Sequence, residues 1–200
     1  QPENKGTNVA AACWTAKVLT YVGLFFGVGG VFFVFWIVGD AICIRTLAIL
    51  LLCGIVGTIS SIGLQGLDAL GVSLSELDRG AVWTAGLSTA YGPTAAVAVI
   101  ALLLALISMG PVDVGASRVV SLISLICVGL SLALSGHASA ASPQIMMRPA
   151  VLLHVIAVTF WAGALLPLAA ILMDEKRTKV LVTFSRVIPP FVAVLLLSGV

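Results

Sequence analysis

The chain has 200 residues, of which 60% are hydrophobic and only 9% are charged, and its net charge is +2 at pH 7. An ordinary soluble domain carries about 25% charged residues, so this composition excludes that class and points to lipid as the solvent. The small net charge gives no argument for a nucleic-acid partner.

Long stretches without a charged residue divide the chain. Five of them hold 22, 22, 33, 29 and 25 residues, over 18–39, 46–67, 80–112, 119–147 and 149–173. A membrane-spanning helix needs about 20 mostly apolar residues, so five spans fit. Lipid offers no partner for a free backbone N–H or C=O, and the runs lack the alternation of barrel strands. The spans are therefore predicted to be helices.

A sixth uncharged stretch follows Arg186 and holds only 14 residues up to Val200, while the chain begins with Gln1 rather than Met. We therefore expect an excised or processed piece whose sixth helix is cut within the membrane. The predicted fold is an all-α polytopic transmembrane helix bundle with five full spans and a truncated sixth. An outside segment, 1–17, precedes a transmembrane domain, 18–200, with spans near 18–38, 46–66, 87–109, 119–135, 149–173 and 187–200.

Small and polar residues mark features of the first half. Gly23 and Gly27 form a G-x-x-x-G pattern, which predicts close packing against another helix. The second span carries Thr58, Ser60, Ser61 and Gln65, which suit interhelical hydrogen bonds or a polar path. The stretch 67–83 is amphipathic, and we interpret it as a surface or re-entrant segment on the outer face, anchored by Trp83. A solvated loop is the alternative.

The distribution of Lys and Arg predicts the orientation. The loop 174–179 is the most basic of the chain, so the positive-inside rule places it in the cytoplasm. Alternation of the spans then gives six Lys or Arg residues inside and four outside. The prediction is a multi-pass protein with its N-terminus outside.

The two histidines of the chain lie on either side of one short outer loop. His137 follows the fourth span, and His154 lies inside the fifth, where an ionisable side chain is costly and indicates a functional site. Met146 and Met147 precede the fifth span. Trp161 lies seven residues after His154, on the same helical face.

These side chains predict a metal site at the outer mouth of the fourth and fifth spans. Thioether and imidazole ligands without carboxylate suit Cu(I) better than hard cations, and the ring of Trp161 could cap a bound cation. The alternative interpretation is structural, because a membrane histidine can bond a neighbouring carbonyl and a Met pair is commonly a packing element.

The second half of the chain resembles a known family. Ser135-Gly136-His137-Ala138, then the run 148–168, RPAVLLHVIAVTFWAGALLPL, and later Phe184-Ser185-Arg186 are similar to the CopD family of bacterial copper-resistance membrane proteins. The match covers 135–200 and is weaker over the first three spans. His137, His154 and Trp161 occupy matching positions, whereas Met146 and Met147 lie in a loop of variable content. The family has more helices than this chain.

The resemblance implies an inner-membrane protein of a bacterium that moves copper from periplasm to cytoplasm, with a CopC-like periplasmic copper-binding protein or domain as partner. Two alternatives remain. One is a b-type haem protein with His137 and His154 as axial ligands. The other is a membrane scaffold that binds a periplasmic partner through the carboxylates of Asp68, Glu76 and Asp78. The sequence holds no nucleophile–base pair or phosphate loop, so we do not expect an enzyme.

Overall fold

The computed structural model describes residues 3–39, 42–111, 113–134, 144–172 and 178–198, without the side chains of 3–7, 144–146 and 178. These residues form seven helices and no strand. The all-α prediction is therefore confirmed for the part of the chain that the structure describes.

The first helix, α1, is a continuous rod over residues 3–38. It consists of an α-helical segment Glu3–Val22, a π-helical segment Gly23–Val28, a short α-helical segment Gly29–Phe33 and a second π-helical segment Val34–Val38. Its 36 residues make a rod of about 54 Å, whereas the bilayer core is about 30 Å thick. The helix thus begins well before the span predicted from residue 18, and Gly39 ends it in the left-handed conformation with φ 79°.

The remaining helices follow in chain order. They are α2 (Ile44–Leu70), α3 (Gly80–Ser88), α4 (Tyr91–Ser108), α5 (Val114–Ala133), α6 (Gln144–Leu172) and α7 (Thr178–Ser198), with a 3-10 turn at Leu74–Glu76. Gly71, with φ 65°, ends α2. Consecutive long helices are joined at alternate ends of the bundle. We call the end where α1 begins and α7 ends the first face, and the other end the second face.

Six helices are long and apolar enough to cross a membrane: Asn8–Val38, Ile44–Leu70, Tyr91–Ser108, Val114–Ala133, Met147–Leu172 and Lys179–Ser198. The chain is accordingly a multi-pass membrane protein. The last span differs from the truncated element expected, because α7 begins at Thr178 and continues through Arg186. Arg186 lies exposed on the helix, where its apolar stem can run along the span while its charge reaches the interface.

The segment after α2 folds differently from the single amphipathic element expected over 67–83. Its first residues belong to the last turn of α2, and α3 begins only at Gly80. The indole Nε1 of Trp83 donates a hydrogen bond to the carbonyl of Leu77 at 2.8 Å, and Arg79 pairs with Glu76. These contacts fold the segment 71–88 into a compact cap over the first face.

Glycine contacts determine how α1 packs between its neighbours. A Cβ atom on Gly23 would lie 2.5 Å from Cα of Gly54 on α2, and one on Gly27 would lie 2.8 Å from the Leu51 side chain. The close approach predicted from the G-x-x-x-G pattern is therefore confirmed. Further along, Gly29 of α1 meets the backbone of Gly163 on α6.

The last helix is attached to the bundle by one side. Leu181, Phe184, Ile188 and Phe191 are half-buried on α7 and pack toward α6 and α1. The ring of Phe191 stacks on the fully buried Phe160 of α6 with 4.1 Å between centroids. This stripe sets the register in which the end of α7 meets the first third of α6.

Candidate functional site

His154 lies on α6, inside a candidate membrane span and close to the first face. The span begins at Met147, so seven residues of helical rise place His154 about 10 Å below it. The side chain is half-buried and faces α7. An intramembrane imidazole at this depth is a functional-site candidate because lipid does not solvate it.

A hydrogen bond to α7 assigns the tautomer of His154. Its Nδ1 atom lies 3.1 Å from Oγ of Ser198, whose hydroxyl is directed at the carbonyl of Val194 at 2.6 Å. Because that hydroxyl proton is directed at the carbonyl, the serine oxygen is the acceptor of an N–H at Nδ1. In the Nδ1–H tautomer of an imidazole, the lone pair is on Nε2. A metal ion binds a histidine in this way when another group holds its opposite nitrogen.

Met147 and Trp161 lie on the same stripe of α6 as His154, one on each side of it. Each lies seven residues from the histidine, so about 10.5 Å of helix axis separates successive members. Met147 is half-buried, and Trp161 is 46% exposed. A cation–π contact needs the cation within about 6 Å of the ring centroid. This spacing suits successive positions along a path better than one shared ligand shell.

The other two predicted ligands cannot be placed. His137 lies outside the described residues, and so does the side chain of Met146, although its backbone belongs to α6. The helices that flank them do lie side by side: a Cβ on Gly129 of α5 would meet Ile156 and the carbonyl of Leu152 on α6. The predicted site requires α5 and α6 to be neighbours, and they are. The grouping of His137, Met146, Met147 and His154 at one site stays a prediction.

The acidic residues of the outer segment do not form a metal site in the described structure. Asp68 and Asp78 are exposed, and Glu76 pairs with Arg79. Within the described ranges, no three His, Cys, Asp or Glu side chains are grouped closely enough to hold a metal ion.

Sequence reasoning missed a polar cavity on the other side of α1. Its walls come from four helices near the first face, and its polar lining is Lys17, Thr20, Tyr21, Gln65, Tyr91 and Thr94. Gln65 is one of the polar residues of the second span. The sequence signal for the remaining lining residues is the first turn of α4, which carries the hydroxyl side chains of Tyr91 and Thr94.

No family model, curated protein or solved structure matches this chain. The resemblance to the CopD family thus stays a prediction.

Proposed function

We propose that this protein transports copper, binding Cu(I) near the first face and passing it across the membrane to the second face. The observation that carries the proposal is His154, an intramembrane imidazole whose Nδ1 lies 3.1 Å from Oγ of Ser198, which leaves Nε2 available to a ligand. The protein binds and passes its cargo and performs no reaction on it.

The stripe of α6 supports movement along the helix. Met147 supplies a thioether two turns above His154, on the side of the first face. The imidazole nitrogen and the thioether sulfur both bind Cu(I) in preference to hard cations. About 10 Å of helix axis separates the methionine from the histidine, so the two side chains lie at successive levels of the same stripe.

The orientation that goes with this proposal places the first face outside the inner membrane of a bacterium. The loop 174–179 is then cytoplasmic, in agreement with the positive-inside rule. A CopC-like periplasmic protein or domain would deliver copper at the first face, where the exposed carboxylates of Asp68 and Asp78 offer charged contacts.

The testing experiment measures Cu(I) affinity of the purified chain in detergent by competition with a chromophoric Cu(I) chelator. We expect stoichiometric Cu(I) binding that is lost in His154→Ala. Ser198→Ala should weaken binding about tenfold or more, because outer hydrogen-bond partners of metal ligands contribute that much. Ser185→Ala is the matched control, since Ser185 makes the same bond to the backbone of α7 and is exposed.

Haem b is the second candidate, because an Nδ1–H that donates to Ser198 prepares Nε2 equally well for haem iron. An optical spectrum of the same sample separates the two. A Soret band that is lost in His154→Ala, with no bound copper, assigns haem. Copper binding that His154→Ala leaves unchanged removes the histidine from the site.

A further inference from the structure

The polar cavity near the first face has the features of a small-ligand site. It has a volume of 160 Å³ and lies between α1, α2, α4 and α5. A single buried water needs only about 10–15 Å³, so the cavity admits a group of several non-hydrogen atoms. Apolar side chains close its inner end: Leu24, Ala98 and Leu132.

The polar residues that line this cavity include several hydrogen-bond donors. Lys17 is half-buried and is the one charged residue of the lining, which contains no carboxylate. Its ammonium lies 5.9 Å from the ring centroid of Trp14, and within the described ranges it makes no salt bridge. Tyr91 and Gln65 add a phenol O–H and an amide NH₂. A cavity whose lining contains a cation and no carboxylate favours a negatively charged ligand.

Thr94 gives an independent indication that a ligand is missing. It is only 3% exposed, it lines the cavity, and its Oγ1 has no hydrogen-bond partner among the described residues. Leaving a buried hydroxyl unpaired is costly, so native structures supply a partner. Thr20, by contrast, donates its hydroxyl proton to the carbonyl of Ala16 at 3.0 Å. The hydroxyl of Thr20 is therefore already hydrogen-bonded, whereas the hydroxyl of Thr94 is free to bond a ligand.

The helix that carries Thr94 reinforces the preference for an anion. α4 begins at Tyr91, so its amino-terminal end, which bears partial positive charge, adjoins the cavity. Pro93 supplies no N–H in this first turn, and the N–H of Gly92 already bonds Thr89 at 3.0 Å. Neither of these two residues therefore offers a free backbone N–H to a ligand.

We propose that this cavity binds one small oxyanion, held by the Lys17 ammonium and the Thr94 hydroxyl, with Tyr91 and Gln65 as further donors. Because the cavity lies near the membrane surface, the oxyanion is either a free inorganic anion or the phosphate of an anionic lipid. The site is separate from His154 and does not depend on copper transport.

The test uses the whole chain, delipidated in an uncharged detergent, and measures binding of inorganic phosphate by equilibrium dialysis at constant ionic strength. We expect one phosphate per chain. Thr94→Val, which keeps the shape and removes the hydroxyl, and Lys17→Met should each weaken binding about tenfold or more, because hydrogen bonds to charged groups contribute that much. Lys17→Arg keeps the charge and should retain binding.

Matched controls lie elsewhere on the protein. Thr84 is exposed on α3, and Lys179 is exposed near the second face, so Thr84→Val and Lys179→Met should bind phosphate like the parent chain. His154→Ala should also leave phosphate binding unchanged, and Lys17→Met should leave Cu(I) binding unchanged. These two results separate failure of this proposal from failure of the copper proposal.

A second arm identifies the source of the anion. Native mass spectrometry with phosphatidylglycerol and with phosphatidylcholine measures retention of each lipid. Retention of phosphatidylglycerol alone, reduced by Thr94→Val and by Lys17→Met, supports a lipid phosphate as the ligand. Binding of free phosphate with the same dependence supports an inorganic anion. Absence of both, or binding that both variants leave unchanged, overturns the proposal.

Discussion

Replacing Gly23 by alanine tests whether close backbone contact holds α1 against α2. A Cβ at this position would lie 2.5 Å from Cα of Gly54 and 2.9 Å from the carbonyl oxygen of Leu50. Both neighbours are backbone atoms, so no side-chain rotation can make room. Ordinary contact begins at 3.4 Å, and the difference from 2.5 Å requires the two helices to separate locally by about 0.9 Å.

The cost follows from that separation. A gap of 0.5–1 Å loses roughly a quarter to a half of the dispersion energy of each contact, and packing of this kind is the main force between helices in lipid. Inserting a methyl group into a well-packed region typically costs about 1–3 kcal/mol. Alanine recovers about 0.4–1 kcal/mol because it restricts the unfolded chain. We therefore expect Gly23→Ala to lower the free energy of unfolding by about 1–2 kcal/mol.

The assay is reversible unfolding in mixed detergent micelles, followed by tryptophan fluorescence and circular dichroism. Gly27→Ala is the graded comparison, because its Cβ would meet mainly the movable side chain of Leu51 at 2.8 Å. Gly80→Ala is the neutral control, since no atom lies within 4 Å of the added methyl group. The expected order of destabilisation is Gly23→Ala, then Gly27→Ala, then Gly80→Ala. Equal stability of the Gly23 and Gly80 variants would refute the reasoning.

Three further substitutions address other contacts of the fold. Trp83→Phe removes the 2.8 Å hydrogen bond to the carbonyl of Leu77 and should lower the free energy of unfolding by about 0.5–1.5 kcal/mol in the same assay. Asp113→Ala removes the cap of α5, where the carboxylate accepts from the N–H of Ala116 at 3.0 Å, and should cost about 1 kcal/mol. Phe160→Ala, at a side chain with 0% exposure, should cost about 3–5 kcal/mol in unfolding free energy.

Each of these three has a matched control. Trp14→Phe alters an indole that is 71% exposed, Asp78→Ala removes an exposed carboxylate, and Leu197→Ala truncates a side chain that is 81% exposed. Exposed substitutions usually change stability by less than about 0.5 kcal/mol. A control that destabilises as much as its partner would show that the contact named for the partner is not the cause.

Charge spacing predicted the membrane spans well, but it did not predict where the first and last helices begin. The amino-terminal half of α1 is held by Val9 and Ala16, which pack with Leu64, Leu67 and Val82 of the α2 end and the cap. That contact is tertiary, and no periodicity in 1–17 alone reveals its partner. The prediction that the last helix starts after Arg186 was wrong for a related reason: an arginine within a span can extend its apolar stem toward the interface, so it does not have to interrupt the helix.

The candidate sites likewise combine features that the sequence reveals with contacts that only the folded structure reveals. His154 could be singled out from sequence because an ionisable residue in an apolar run is unusual. Its bond to Ser198 joins residues 44 positions apart and depends on how α7 docks. The polar cavity collects Lys17, Gln65 and Thr94 from three helices, so its donors are dispersed in the sequence and become a group only after folding.

The shallow docking of α7 has a consequence for local unfolding. No residue in the most apolar part of α7 is fully buried, whereas about half of the corresponding residues are buried in each of the other five spans. Opening α7 therefore exposes less packed surface than opening any of the others. Segments with few buried contacts open at low free energy, and amide hydrogen exchange in α7 should therefore be the fastest among the six spans. Each opening also removes Ser198 from His154 and frees the imidazole to change tautomer. The hydrogen-bond partner of the His154 ring is thus carried by the least buried of the six spans.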